Sequence, residues 1–295
     1  MTGRWDATCW TAANRGLAQE VFKQAKIESR YVRTRVFGPA NVLMRSIDRQ
    51  HLRIAPDGSI PADCVLDALK VRDEGGDGNR FTGVLPERWG YPRVDPQRGG
   101  FYCSLDRGAV ASELLHYAAP SGLGQPGLAA QRPAAFENRA YLSVRPIGTL
   151  EVAALDGECS GLEELLTRLE ASKPIREALL GLRPPRSLFK ALLDESDYAV
   201  ARGIGVGLAA NLEVEGFAVP SARDFETLAG GREVKRTGSN VVLLGRQGSS
   251  MTGRVRAEAF HLVDRVSQGR EWRLRRWLVG PDGRARPEHD AIIGR

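Results

Sequence analysis

Gly99 to Tyr117 reads GGFYCSLDRGAVASELLHY. After two glycines comes a short apolar run, Phe101-Tyr102-Cys103-Ser104-Leu105, with strand character. Asp106 is placed to cap a helix by accepting a hydrogen bond from a free N–H of the first turn. From Arg107 to Ala118 the apolar residues Val110, Ala111, Leu114, Leu115 and Ala118 recur at helical spacing. The stretch therefore predicts a strand, a cap and a helix, with Tyr102 near the end of the strand and Glu113 on the helix. Glu113 falls about 130° from the centre of the apolar stripe, so by its own periodicity it is a solvated flank residue.

The surrounding chain has the composition of an ordinary globular protein: 295 residues, 42% hydrophobic and 26% charged. That length predicts one main domain with extensions. No apolar run reaches the length of a membrane span, and the start, MTGRWDATCW, lacks the basic and apolar regions of a signal peptide, so a cytoplasmic location is expected. Cys9, Cys64, Cys103 and Cys159 are scattered, as are His51, His116, His261 and His289. No CxxC or HExxH spacing offers a metal site, and reduced thiols are expected. Net charge is +6, and Arg254–Arg295 holds ten Lys+Arg against six Asp+Glu. A nucleic-acid interface is therefore weighed there.

Asn14–Ile27 has the pattern of an amphipathic helix within an N-terminal extension, residues 1–30. Tyr31–Phe37 alternates and stops at Gly38-Pro39, a strand on which Arg33 and Arg35 share one face. A short helix is predicted near Ala62–Val71, then loop chemistry over Asp73–Arg80, DEGGDGNR. Asn138–Leu155 reads as strand broken near Pro146. Helices are predicted over Leu162–Leu169, Ile175–Leu182 and near Leu188–Leu193. Asp197–Asn211 predicts a helix, followed by a short strand ending at Pro220. Ser239–Leu244 is a strand, and Val255–Val263 with Arg270–Val279 form a hairpin. Strands in groups with irregularly interspersed helices argue for α+β.

Three local patterns carry less than they suggest. Gly205–Ala210 matches GxGxxA, but without a series of βα units it reads as a glycine-containing helix packed closely on a neighbour. Trp272-Arg273-Leu274-Arg275-Arg276-Trp277 could stack bases and hold phosphates. The plainer reading turns Trp272, Leu274 and Leu278 inward and solvates the arginines. Ser221 is in no nucleophile elbow and has no histidine pattern beside it.

Four segments together nevertheless resemble one family: Arg80-Phe81 after its Gly-rich loop, Gly100-Phe101-Tyr102 leading to Glu113, Gly216-Phe217-Ala218-Val219-Pro220-Ser221-Ala222-Arg223, and Ser239-Asn240-Val241-Val242-Leu243. In order and spacing they are similar to the RES domain, over roughly Tyr31–Leu244. The resemblance implies an ADP-ribosyltransferase-like RES fold, a mixed β-sheet core surrounded by helices. Residues 31–250 would be the catalytic domain and 251–295 a basic β-hairpin extension. It implies a toxin of a toxin–antitoxin pair that uses NAD as substrate, with no cofactor, releasing nicotinamide by hydrolysis or phosphorolysis. The alternative is transfer of ADP-ribose to a protein. A cognate antitoxin and a homodimer are the implied partners. Carried over by position, Arg80, Tyr102, Glu113 and Ser221 are the catalytic candidates, with Arg35 and Asn240 binding substrate. The stretch Val84–Arg98 is longer than the family pattern, so Arg88, Arg93 or Arg98 could replace Arg80. A reading of another class is a non-enzymatic nucleic-acid-binding protein using the C-terminal hairpin.

These residue types suit the chemistry. A guanidinium fork binds a pyrophosphate. A carboxylate stabilises the oxocarbenium character that develops as the glycosidic bond breaks. A tyrosine ring stacks on nicotinamide and fixes the ribose.

Overall fold

A computed structural model describes residues 12–71, 98–105, 139–156, 161–182, 187–188, 192, 199–220, 225–227, 233–235, 238–246, 248–266 and 271–293. The helices whose bounds are described are α1 (Ala12–Glu28), α2 (Ala62–Ala68), α3 (Gly161–Ala171), α4 (Lys173–Leu180) and α5 (Ala199–Ala209). The strands of the first part of the chain are β1 (Thr34–Phe37), β2 (Leu43–Asp48), β3 (Arg98–Ser104), β4 (Arg139–Pro146), β5 (Leu150–Ala154) and β6 (Gly216–Pro220). A small ribbon, β7 (Phe225–Thr227) and β8 (Glu233–Lys235), precedes β9 (Ser239–Arg246), β10 (Val255–Val266), β11 (Glu271–Val279) and β12 (Ala285–Ile293). Ten strands form one sheet in the order β1-β5-β6-β9-β3-β2-β4-β10-β11-β12. Among the described strands only β5 and β6 pair in parallel. Their connection carries α3, α4 and α5, as a parallel pair requires a long crossover. The fold is α+β with a mixed sheet.

The sheet separates two apolar layers. On one face Phe37, Leu43, Phe101, Leu142, Leu243, Phe260 and Trp277 pack together with α2 residues. On the other, Phe217, Val219 and Val242 meet Leu17 and Val21 of α1, Leu165 and Leu169 of α3, and Ile204 and Leu208 of α5. Strand alternation does the sorting: along β9, Val241 and Leu243 join the first layer while Val242 joins the second.

All but the last residue of the GxGxxA segment lies in α5, and its glycine Gly207, with Gly203, faces α1. A Cβ added at Gly207 would come 2.7 Å from the Phe22 carbonyl oxygen, and one at Gly203 would come 3.0 Å from that of Ala18. These glycines let two helix backbones approach, as the packing interpretation requires.

Two expectations change at the C-terminus. The predicted hairpin forms as β10–β11, but a third strand, β12, follows it and β10 pairs with β4, so that the three strands continue the main sheet and are not a separate two-strand extension. The facing of β11 is also reversed. Trp277 is 2% exposed, and its indole N–H donates to the Gly58 carbonyl at 2.9 Å, whereas Leu278 is 39% exposed. Arg275 shares the face of Trp277 and lies over its ring. Among the described residues no helix is long and apolar enough to cross a membrane.

Candidate substrate site

β3 turns Phe101 and Cys103 toward the first apolar layer and Tyr102 toward the second, where it is half-buried. Tyr102 pairs with Val242 and Ser104 with Asn240 across the β3–β9 register. Tyr102, Ser104 and Asn240 therefore share one face on adjacent strands. Ser104 Oγ donates to Asn240 Oδ1 at 2.5 Å, and both residues are buried. That bond orients the Asn240 carboxamide. On the opposite face burial pushes the Cys103 thiol up to about 12, the nearby Arg45 opposing it, which removes Cys103 as a thiolate nucleophile.

The same face continues across the sheet through largely buried residues. Met44 of β2 is paired with Ser104 on one side and Ser143 of β4 on the other. Ser143 Oγ lies 3.2 Å from His261 Nε2 of β10. His261 is in register with Tyr141, which shares the face of Ser143. Burial drives the Tyr141 phenol upward, Arg139 opposing it, so the hydroxyl stays protonated at neutral pH. In the other direction the same face turns apolar: Phe217, Val219, Ala153 and Leu155 lie beneath the helices.

Strand direction adds a second constraint. β3 and β6 both run antiparallel to β9, which lies between them. Pro220 is paired with Ser239, and Leu105 N–H donates to the Ser239 carbonyl at 2.9 Å. So β3 and β6 end, and β9 begins, at the same edge of the sheet. Ser221 is the residue after Pro220, and Glu113 follows Ser104 by nine positions. Glu113, Ser221 and Arg80 themselves lie outside the described residues, as do the predicted Asp106 cap, the helix after it and the loop over Asp73–Arg80.

Arg35 is placed elsewhere. Through the pairings of β1 with β5, β5 with β6, and β6 with β9 it takes the face of Phe101, opposite Tyr102, and lies about 19 Å away by four strand spacings. It forms an ion pair with Asp156, whose side chain is fully buried, and lies over the Phe37 ring. Tyr102 and Asn240 are thus brought together, and Arg35 is not with them. A small cavity of about 20 Å³ between Tyr31, Arg33, Glu164 and Arg168 on the helical side has room for a single water and not for a nucleotide.

Ser104, Ser143 and His261 escaped the sequence reading. Ser104 and Ser143 each stand two residues beyond a tyrosine, Tyr102 and Tyr141, which in a strand is the same-face signal. His261 carries no local sign, because its partner Ser143 is 118 residues away. No family model, no curated protein and no solved structure matches the chain.

Proposed function

We propose that the protein is an NAD-consuming enzyme of the RES type, cleaving the nicotinamide–ribose bond, and that its fold is the ADP-ribosyltransferase-like RES fold. The observation that carries this reading is the convergence at one sheet edge: Tyr102 and Asn240 on one face, with the strand ends that lead to Glu113 and Ser221 beside them. Three of the four segments, those containing Tyr102, Val219 and Asn240, meet there along β3, β6 and β9.

In this mechanism the leaving group needs no strong acid, because nicotinamide is cationic in the substrate and departs neutral as the glycosidic electron pair moves onto its ring nitrogen. The Glu113 carboxylate stabilises the developing oxocarbenium ion and accepts from the ribose 2′-hydroxyl. Tyr102 stacks on the nicotinamide ring. Asn240, held by Ser104, takes part in substrate binding, and Ser221 orients the carboxylate. Arg80 holds the pyrophosphate, with Arg88, Arg93 and Arg98 as alternatives. Water, phosphate or a protein side chain then captures the ribosyl cation. Action as a cytoplasmic toxin, a neutralising antitoxin and a homodimer belong to the same proposal.

The nucleic-acid reading draws less support. Several arginines of the C-terminal strands are engaged by carboxylates: Arg276 by Glu288 at 2.8 Å, Arg273 by Asp290 at 3.8 Å, Arg275 by Asp264, and Arg286 by Asp282. Pairing reduces the charge available to phosphates.

The test is free nicotinamide released from NAD, with and without phosphate. Glu113→Ala is expected to slow release at least about 10²-fold, the scale of one lost transition-state contact. Labelled ADP-ribose on a protein would select the transferase alternative. Folded wild-type protein that releases no nicotinamide and labels no protein overturns the proposal.

A further inference from the structure

The same turn is built twice. Ala55-Pro56-Asp57-Gly58-Ser59 and Gly280-Pro281-Asp282-Gly283-Arg284 share a Pro-Asp-Gly core. Both close by the same bonds. The glycine N–H donates to the carbonyl of the first residue, Gly58 to Ala55 at 2.8 Å and Gly283 to Gly280 at 3.0 Å. The N–H of the first residue donates to the carbonyl of the last, at 2.8 Å in each turn. Gly58 and Gly283 take φ of 78° and 76°, a conformation that favours glycine. The aspartate carboxylate accepts from the last residue's N–H, Asp57 from Ser59 at 3.0 Å and Asp282 from Arg284 at 3.3 Å. The turns lie side by side, because Ile60 and Ala285 exchange backbone hydrogen bonds. Arg284 of the second turn reaches across and donates to Asp57 at 3.1 Å. Arg286 donates to both oxygens of Asp282, at 3.0 and 2.5 Å. Ser59 and then Arg284 hold the Asp57 carboxyl below its ordinary value, and Arg286 holds that of Asp282 down to about 2.

An aspartate followed by glycine can rearrange, because glycine has no Cβ to shield its nitrogen. The glycine nitrogen attacks the side-chain carbonyl carbon of the protonated aspartate. A C–N bond forms, and the carboxyl hydroxyl leaves with the amide proton as water. Water then opens the five-membered imide. Opening at the main-chain carbonyl leaves isoaspartate, in which the backbone runs through the former side chain and gains a methylene. No reactant but water is needed.

We propose that Asp57-Gly58 and Asp282-Gly283 are isomerisation sites held closed by Arg284 and Arg286, which keep the two carboxylates ionised while the turn bonds hold the glycine nitrogens. Both aspartate side chains are exposed, so burial does not protect them. Loss of the clamp reaches the core: the Gly58 carbonyl accepts the Trp277 indole N–H at 2.9 Å, and isoaspartate at position 57 would move that anchor of β11. The proposal is independent of the NAD reading.

For the test, the full-length protein is held folded at mildly acidic pH for days and then digested. Isoaspartate is read in each peptide from a shifted elution at unchanged mass and from enzymatic carboxyl methylation. Reading by peptide separates the two turns from Asp77-Gly78 and Asp156-Gly157. Wild-type protein should accumulate isoaspartate at both turns more slowly than the urea-unfolded chain, a comparison that does not depend on a variant folding. Arg284→Ala should raise the rate at Asp57, and Arg286→Ala the rate at Asp282, about two- to fivefold, the scale of an exposed ion pair. Each should leave the other turn near its wild-type rate, and Arg286→Lys should recover part of the protection. General loosening of the fold would instead speed both turns in both variants. Equal rates in folded and unfolded protein, or substitutions that leave both turns unchanged or speed both alike, overturn the proposal.

Discussion

Arg35 keeps 29% of its side chain exposed against an aspartate that keeps none. Removing the arginine would leave the Asp156 carboxylate buried without its countercharge, which costs about 3 kcal/mol where such pairs have been broken. Arg35→Ala should therefore lower the denaturant midpoint markedly, and Arg35→Ala with Asp156→Ala should restore part of it. The KM for NAD should not move in the folded fraction, since Arg35 occupies the face opposite Tyr102. A raised KM without lost stability would return Arg35 to the substrate. Gly207 tests packing in the same way: in Gly207→Ala the new methyl would sit 2.7 Å from a backbone oxygen of α1, and a loss of about 1–3 kcal/mol is expected by chemical denaturation. These residues also mark how far sequence reading reaches. Alternation put Arg33 and Arg35 opposite Val32 and Val36, and Trp272, Leu274 and Leu278 opposite the arginines of β11. A period of two defines two faces but carries no sign for which one is inward. On β11 both faces hold large apolar residues, and Trp277 settles the choice by reaching the Gly58 carbonyl from a distant turn.

Between elements, the joint of β10, β11 and the turn after β2 depends on Asp264. Its carboxylate accepts from Arg275 and forms an ion pair with Arg49 at 2.5 Å. Burial pushes its pKa up, but the two guanidinium groups outweigh burial and hold it below the ordinary carboxylate value. A carboxylate depressed in the folded state contributes stability that is complete above its unfolded value, about 3.9, and lost as pH falls through its folded value. Asp264→Asn should thus flatten the acid side of the stability profile below about pH 4, measured by thermal melts across pH. An unaltered acid limb would show that the network contributes nothing to folding. Most elements were legible at this scale. The break near Pro146 separates β4 from β5, the Asp197–Asn211 reading became α5, and the strand ending at Pro220 is β6. β12 was missed because Arg286, Pro287, Glu288, His289 and Asp290 hide the usual alternation. An edge strand is under pressure to carry such residues, since charge and proline discourage pairing with another chain.

For the whole molecule, the residues after 250 are part of the sheet and of the first apolar layer, not an appendage. Phe260 and Leu262 are fully buried and Trp277 nearly so. Each such side chain contributes about 1.5–3 kcal/mol by burial. A chain ending before Val255 would lose all three and leave one edge of β4 unpaired. It is expected to be recovered as aggregate, or to show loosened packing by hydrogen exchange over β2 and β4. A truncated protein with wild-type melting behaviour would make the C-terminal strands a separable module. Sequence reading suggested that separation because the resemblance stops near Leu244 and the charge rises after it. Neither signal reports which strand β10 pairs with. That pairing joins residues more than a hundred positions apart, and such contacts leave no local trace.

The same pairing orders events during synthesis. β4 is complete by Pro146, yet the strand that covers its outer edge begins at Val255. At ribosomal elongation of about 5–20 residues per second, that edge waits about 5 to 20 seconds for its partner. Meanwhile Tyr141–Val144 offers unsatisfied backbone donors and acceptors flanked by apolar side chains, the template on which chains join one another. The nascent protein is thus most exposed to misassembly late in translation, over a segment that is almost wholly hidden once the chain is released. Synonymous codons that slow elongation between Pro146 and Val255 should lower the soluble yield without altering the finished molecule.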